Sequence, residues 1–120
     1  MLRARTIWRL LCVCLTLLII WLALVPSGAA PTGLGWDKLN HAAAIAAVTL
    51  VAYLSLHPRR RAANTAFLYG MFVGVLIEIL QGALTTGRAA EWGDIAADLL
   101  GAASVWCLVV IFERRSALKQ

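Results

Sequence analysis

The sequence predicts an all-α membrane protein: a bundle of four transmembrane helices with the N and C termini both cytoplasmic. Three observations lead there. Of 120 residues, 62% are hydrophobic and 14% charged, with a mean hydropathy of +0.81, whereas a soluble domain carries roughly 25% charged residues. Four apolar runs are separated by short stretches holding proline, glycine or clustered arginine. The basic residues fall almost wholly on one of the two sides that such a bundle would have.

The first run covers residues 7–25, preceded by Arg3 and Arg5 and with Arg9 near its start, close to the roughly 20 residues that a helix needs to span a bilayer. Pro26 stops it. A signal peptide is the competing reading, because Ser27-Gly28-Ala29-Ala30 offers small residues for cleavage. The apolar run exceeds the roughly 7–15 residues of a signal core, which favours a retained helix. Residues 26–36, rich in Pro, Gly and Ser, form a loop.

The second helix, about residues 38–56, opens at Asp37-Lys38-Leu39-Asn40-His41 and is alanine-rich; His57-Pro58-Arg59-Arg60-Arg61 ends it. The third, about 64–84, contains Gly70 and Gly74 four apart, a small-residue pair that lets helix backbones approach closely. Continuing by fours places Glu78 and Gly82 on that face, with Gln81 beside them. After a loop, the fourth helix runs over about 94–112 to Glu113-Arg114-Arg115. These elements make one transmembrane domain over residues 1–120, too short to add a second soluble domain.

A net charge of +5 would suggest nucleic acid in a soluble protein. Here the positive charges sit between apolar runs and read as topology signals, so no nucleic-acid partner is expected and the bilayer is the partner. Arg3, Arg5, Arg9, Arg59, Arg60, Arg61, Arg114, Arg115 and Lys119 gather on the cytoplasmic side, against Lys38 and Arg88 outside. Trp36 and Trp92 fall at the outer boundary and Trp8 at the inner one, where interfacial aromatics belong. Cys12, Cys14 and Cys107 all lie in apolar runs, with neither a disulfide framework nor the paired spacing of a zinc site. No cofactor or metal is expected from a motif.

The polar residues inside the spans form the candidate site. Ionisable side chains within spanning segments are costly and face a bundle interior or a wet cavity. Asp37, Lys38 and His41 open the second helix, Glu78 and Gln81 close the third, and Asp94 and Asp98 open the fourth, with Arg88 and Glu91 in the loop above. The topology brings them to one outer level. Asp94, Asp98 and Gly101 share a face at helical repeats, and Asp37 is four residues from His41, which would let a carboxylate orient the imidazole. Glu78 and Gln81, three apart, can reach the same partner.

Plainer readings stand beside this one. Asp94 after Gly93 is suited to an N-cap, Asp37 and His41 to an interfacial helix start, and Glu91 to a solvated loop charge. Lys38 and Arg88 can pair with loop acids at little energetic effect. Glu78 and Asp98 lie deeper, where the alternatives are a functional pocket or a polar clamp between helices. Gly70, Gly74 and Gly101 read as packing positions.

Asp37-Lys38-x-x-His41, Glu78-x-x-Gln81, Gly87-Arg88 and Asp94-x-x-x-Asp98-x-x-Gly101 together resemble the VanZ-like family of small bacterial membrane proteins, from the second helix onward. Asp98 stands where that family commonly has asparagine. The resemblance implies a multi-pass protein of the bacterial cytoplasmic (inner) membrane, acting at the cell envelope; the family's namesake is associated with low-level teicoplanin resistance. The expected function is an outward-facing polar site that binds or modifies an envelope or lipid-linked molecule. One alternative is a structural or assembly subunit whose acids clamp helices or a partner. Another is an intramembrane enzyme, with His41 or Glu78 as general acid/base, or His41, Glu78 and Asp98 holding a divalent ion.

Overall fold

The computed structural model describes residues 2–25, 37–85 and 91–118. Pro26, Trp36, Gly87, Arg88 and Lys119 therefore lie outside the described residues, and so does the small-residue stretch 27–30. The chain folds into four helices: α1 (Leu2–Leu24), α2 (Asp37–Leu56), α3 (Ala62–Leu84) and α4 (Trp92–Ala117), with no strand among the described residues. Each is long and apolar enough to cross a membrane, which fits a multi-pass membrane protein.

Three of the four helices start before the apolar run begins, and α4 also outlasts it. Helix α1 takes in Arg3 and Arg5, α3 begins at Ala62 and α4 at Trp92, continuing through Glu113, Arg114 and Arg115. The physical reason is that apolarity marks where a helix leaves hydrocarbon, whereas arginine, glutamate and alanine are good helix formers on either side of that boundary. Arg114 and Arg115 also sit in the last turn of α4, where positive charge complements the helix dipole. Between α2 and α3 the turn is closed by the Arg59 N–H on the Leu56 carbonyl and by Arg61 in the left-handed region, φ 71°. Thr85 ends α3 in extended backbone, its hydroxyl donating to the Gln81 carbonyl at 2.7 Å.

Helices α2 and α3 touch each other and both touch α1 and α4, while α1 and α4 do not meet. Two apolar layers fill the interior. One joins Cys12, Ala52, Tyr53, Ala62, Ala66 and Val109; the next joins Ile45, Val48, Val73, Ile77 and Ala102. Outside, Leu17, Leu68, Phe72, Ile79, Leu108 and Phe112 are largely exposed, as suits side chains that meet lipid tails. Cys12, Cys14 and Cys107 are free thiols, the first buried and the others exposed.

Glycines set how closely the helices approach. A Cβ on Gly70 would strike the Thr49 hydroxyl, one on Gly74 would lie 2.7 Å from Asp98 Oδ2, and one on Gly101 would strike the backbone carbonyl of Ala42. Gly82, although four residues beyond Glu78, is exposed. At 100° per residue a repeat of four drifts about 40° each time, and by Gly82 the buried face has turned away.

Both chemical ends of the bundle are distinct. Tyr53 donates to Glu113 at 2.8 Å and Trp106 to Asn64 at 2.8 Å, at the end that also carries Arg59, Arg60, Arg61, Arg114 and Arg115. The other five acids, Asp37, Glu78, Glu91, Asp94 and Asp98, lie toward the opposite end, with Lys38.

Candidate functional site

Because α2 begins at Asp37, His41 lies one turn inside it. Glu78 is six residues from the end of α3 and Asp98 six residues into α4, each about 9 Å from its helix terminus at 1.5 Å per residue. Up-and-down connection of these helices brings the three to one level. His41 Nδ1 lies 3.4 Å from Asp98 Oδ1 and 3.7 Å from Glu78 Oε1, and its Nε2 lies 3.9 Å from Asp94 Oδ2. The imidazole is thus enclosed by three carboxylates from two helices. Exposure of the side chains is 11% for His41, 6% for Asp94, 3% for Glu78 and 1% for Asp98.

The two oxygens of Glu78 are used differently. Oε2 accepts the backbone N–H of Glu91 at 3.1 Å, while Oε1 has no hydrogen-bond partner. Glu91 is the N-cap of α4, with no side-chain capping bond of its own. In a capping box the third helical residue would reach back to that N–H. That residue is Asp94, which faces Lys38 and His41 instead, so α3 supplies the acceptor. Asp94 is therefore not the N-cap: it lies in the first turn of a helix that starts two residues earlier.

Lys38 Nζ donates to Glu91 Oε2 at 3.1 Å and to Asp94 Oδ1 at 3.2 Å, bridging α2 to the start of α4. The Glu91 carboxylate remains a solvated charge, 61% exposed, and it is the backbone N–H of Glu91 that joins the cluster, through Glu78. No capping signature marks Glu91 in the sequence, because glutamate is not among the favoured N-cap residues and its side chain makes no capping bond. Asp37 is exposed, yet a carboxylate oxygen of it, a His41 nitrogen and an Asp94 oxygen all lie within 4.8 Å of one another.

Gln81 has a different setting. Its amide nitrogen donates to the Ala23 carbonyl at 3.1 Å, near the end of α1, so it ties α3 to α1 while Glu78 faces α2 and α4. Arg88 lies outside the described residues. Ser104 and Thr85 donate their hydroxyls to carbonyls of their own helices, Leu100 and Gln81, and neither is arranged as a nucleophile beside His41.

Asp98 is held from behind by α3. A methyl at position 74 would lie 2.7 Å from Asp98 Oδ2 and 3.0 Å from its Cβ, so Gly74 provides the space that the carboxylate occupies. Gly74→Ala is expected to cost about 1–3 kcal/mol as overpacking and to displace Asp98 toward His41. Unfolding of the purified variant in detergent measures the first effect.

The cluster can hold a cation or position an imidazole against a bound polar group. Both Asp98 oxygens and Glu78 Oε1 are buried without a hydrogen-bond partner, and buried polar atoms of native proteins are normally satisfied. Comparison with family models, with curated proteins and with solved structures finds no match to this chain.

Proposed function

We propose that this chain is a VanZ-like protein of the bacterial cytoplasmic membrane whose outward-facing polar site binds or modifies a polar group of a cell-envelope molecule. Orientation follows from charge. The end carrying Arg59, Arg60, Arg61, Arg114 and Arg115 is cytoplasmic by the positive-inside rule, with both termini on that side, and the acidic end then meets the outer leaflet. A role in glycopeptide resistance comes from the resemblance alone.

The observation that carries the reading is that Glu78 Oε1 and both Asp98 oxygens are buried without a hydrogen bond, two of them at ion-pair distance from His41. A clamp whose only task is to join helices gains by satisfying its oxygens, because each buried unsatisfied group costs about 1–3 kcal/mol and more if charged. Three acceptors without hydrogen bonds, two of them beside one imidazole, favour an arrangement completed by something bound.

The test is a profile of membrane lipids and cell-wall precursors from cells with and without the protein. Wild type shifts the profile, and Glu78→Gln and Asp98→Asn abolish the shift at unchanged protein level in the membrane. Identical profiles with and without the wild-type protein sink the envelope reading. Loss of both variants from the membrane, with the profile following protein level, favours the structural or assembly subunit instead.

A further inference from the structure

We infer that His41, Glu78 and Asp98 form a binding site for one divalent metal ion of zinc type, with a fourth coordination position left open. One donor atom of each residue lies within 4.8 Å of the other two. The two spacings to His41 are those of ligands around a small ion. Bonds of 2.0–2.1 Å in tetrahedral geometry place donor atoms about 3.4 Å apart, and His41 Nδ1 stands 3.4 Å from Asp98 Oδ1 and 3.7 Å from Glu78 Oε1.

Independent of spacing, the atoms that would bind the ion are the ones left without a hydrogen bond. Glu78 Oε1 and both oxygens of Asp98 are buried and unbonded, while Glu78 Oε2 is held by the Glu91 N–H, which orients the free oxygen toward His41. The other face of the imidazole is supported as well. Asp94 Oδ2 lies 3.9 Å from Nε2, beyond a hydrogen bond in this structure, but on the side where a metal-bound histidine places its remaining N–H against a carboxylate. Lys38 in turn holds the other oxygen of Asp94.

Charge favours the same occupant. With a neutral imidazole, the two buried carboxylates of Glu78 and Asp98 cancel a dication and Lys38 offsets Asp94, while Asp37 and Glu91 are exposed to solvent. Two buried carboxylates that share one imidazole inside an apolar bundle are otherwise unfavourable. The imidazole nitrogen argues for zinc over magnesium or calcium, which prefer oxygen ligands throughout. Three protein ligands and one open position is also the arrangement of catalytic rather than structural zinc. This deepens the function proposed above and rests on it in one respect: the open position is taken to meet an oxygen of the envelope molecule.

The experiment uses the full chain purified in detergent, with Cys14→Ser and Cys107→Ser to remove exposed thiols that could bind the ion adventitiously. The protein is stripped with a chelator, equilibrated with Zn²⁺ alone and analysed for metal content. One Zn²⁺ per chain is expected. Asp94→Asn should weaken binding by roughly 10–100-fold, as loss of an outer partner does, and Asp98→Asn or Glu78→Gln by more; His57→Ala at the far end should change nothing. Co²⁺ in place of Zn²⁺ should give the intense visible absorption of a four-coordinate ion. Folded, monodisperse parent protein that takes up no Zn²⁺ overturns the inference, as does uptake that neither Asp98→Asn nor Glu78→Gln reduces in variants of unchanged helicity. Zn²⁺ uptake with an unchanged envelope profile keeps the ion and removes the envelope reading; a changed profile without Zn²⁺ uptake does the reverse.

Discussion

His41→Ala, measured on chelator-treated protein in detergent, should destabilise the chain by about 3–5 kcal/mol, the cost of leaving buried charge without its partner. Among the described residues, His41 supplies the only basic nitrogen within 4 Å of Glu78 or Asp98, because Lys38 reaches Asp94 and Glu91 instead. Removing the imidazole therefore strands two carboxylates that are almost wholly buried. It also opens a void where the ring stood, and both effects act in one direction. The control is rescue. Adding Glu78→Gln and Asp98→Asn to His41→Ala removes the stranded charge and should recover most of the loss, although each amide change alone in the wild-type background should destabilise. Such non-additivity is the signature of groups in one network. An unfolding midpoint for His41→Ala equal to that of wild type would show that the imidazole does not carry the charge balance of the cluster.

The number, order and type of the helices were legible because each apolar run is near the length that a bilayer requires, and that signal does not depend on tertiary contacts. Their ends were not. Starting α4 at the hydrophobic boundary made Asp94 look like a cap, whereas two more helical residues put it in the first turn and gave the cap to Glu91. The polar cluster could be assembled because His41, Glu78, Asp94 and Asp98 lie at helical repeats and at a common depth. Gln81 shows where that reasoning stops. Three residues on from Glu78 it sits about 60° around the helix, and the pattern says nothing of which neighbour occupies that angle; α1 does. The Glu91 N–H was invisible for a different reason, since backbone donors leave no mark in a side-chain pattern.

Gly101→Ala should destabilise the bundle by about 3 kcal/mol, at the upper end of what overpacking costs, and should disable the polar cluster in the same step. An added Cβ would strike the Ala42 carbonyl, with the Ala42 carbonyl carbon 2.9 Å away and its Cα 3.1 Å away. Nothing there can swing aside, because the obstacle is the backbone of α2. The two helices must separate, and Ala42 is the neighbour of His41 while Asp98 lies three residues before Gly101 on the opposing face. Separation at this point therefore pulls His41 away from Asp98, whose 3.4 Å approach is what brings α2 and α4 into one site. Gly93→Ala provides the contrast: its added Cβ would meet the Lys38 Nζ at 2.8 Å, the tip of a flexible side chain that can move at the expense of its bonds to Glu91 and Asp94. A near-wild-type unfolding midpoint is expected there. If Gly101→Ala unfolds no earlier than Gly93→Ala, the close approach of α2 to α4 is not what sets the position of His41, and the geometry of the cluster must be fixed by the α3 contacts of Glu78 and Gly74 instead.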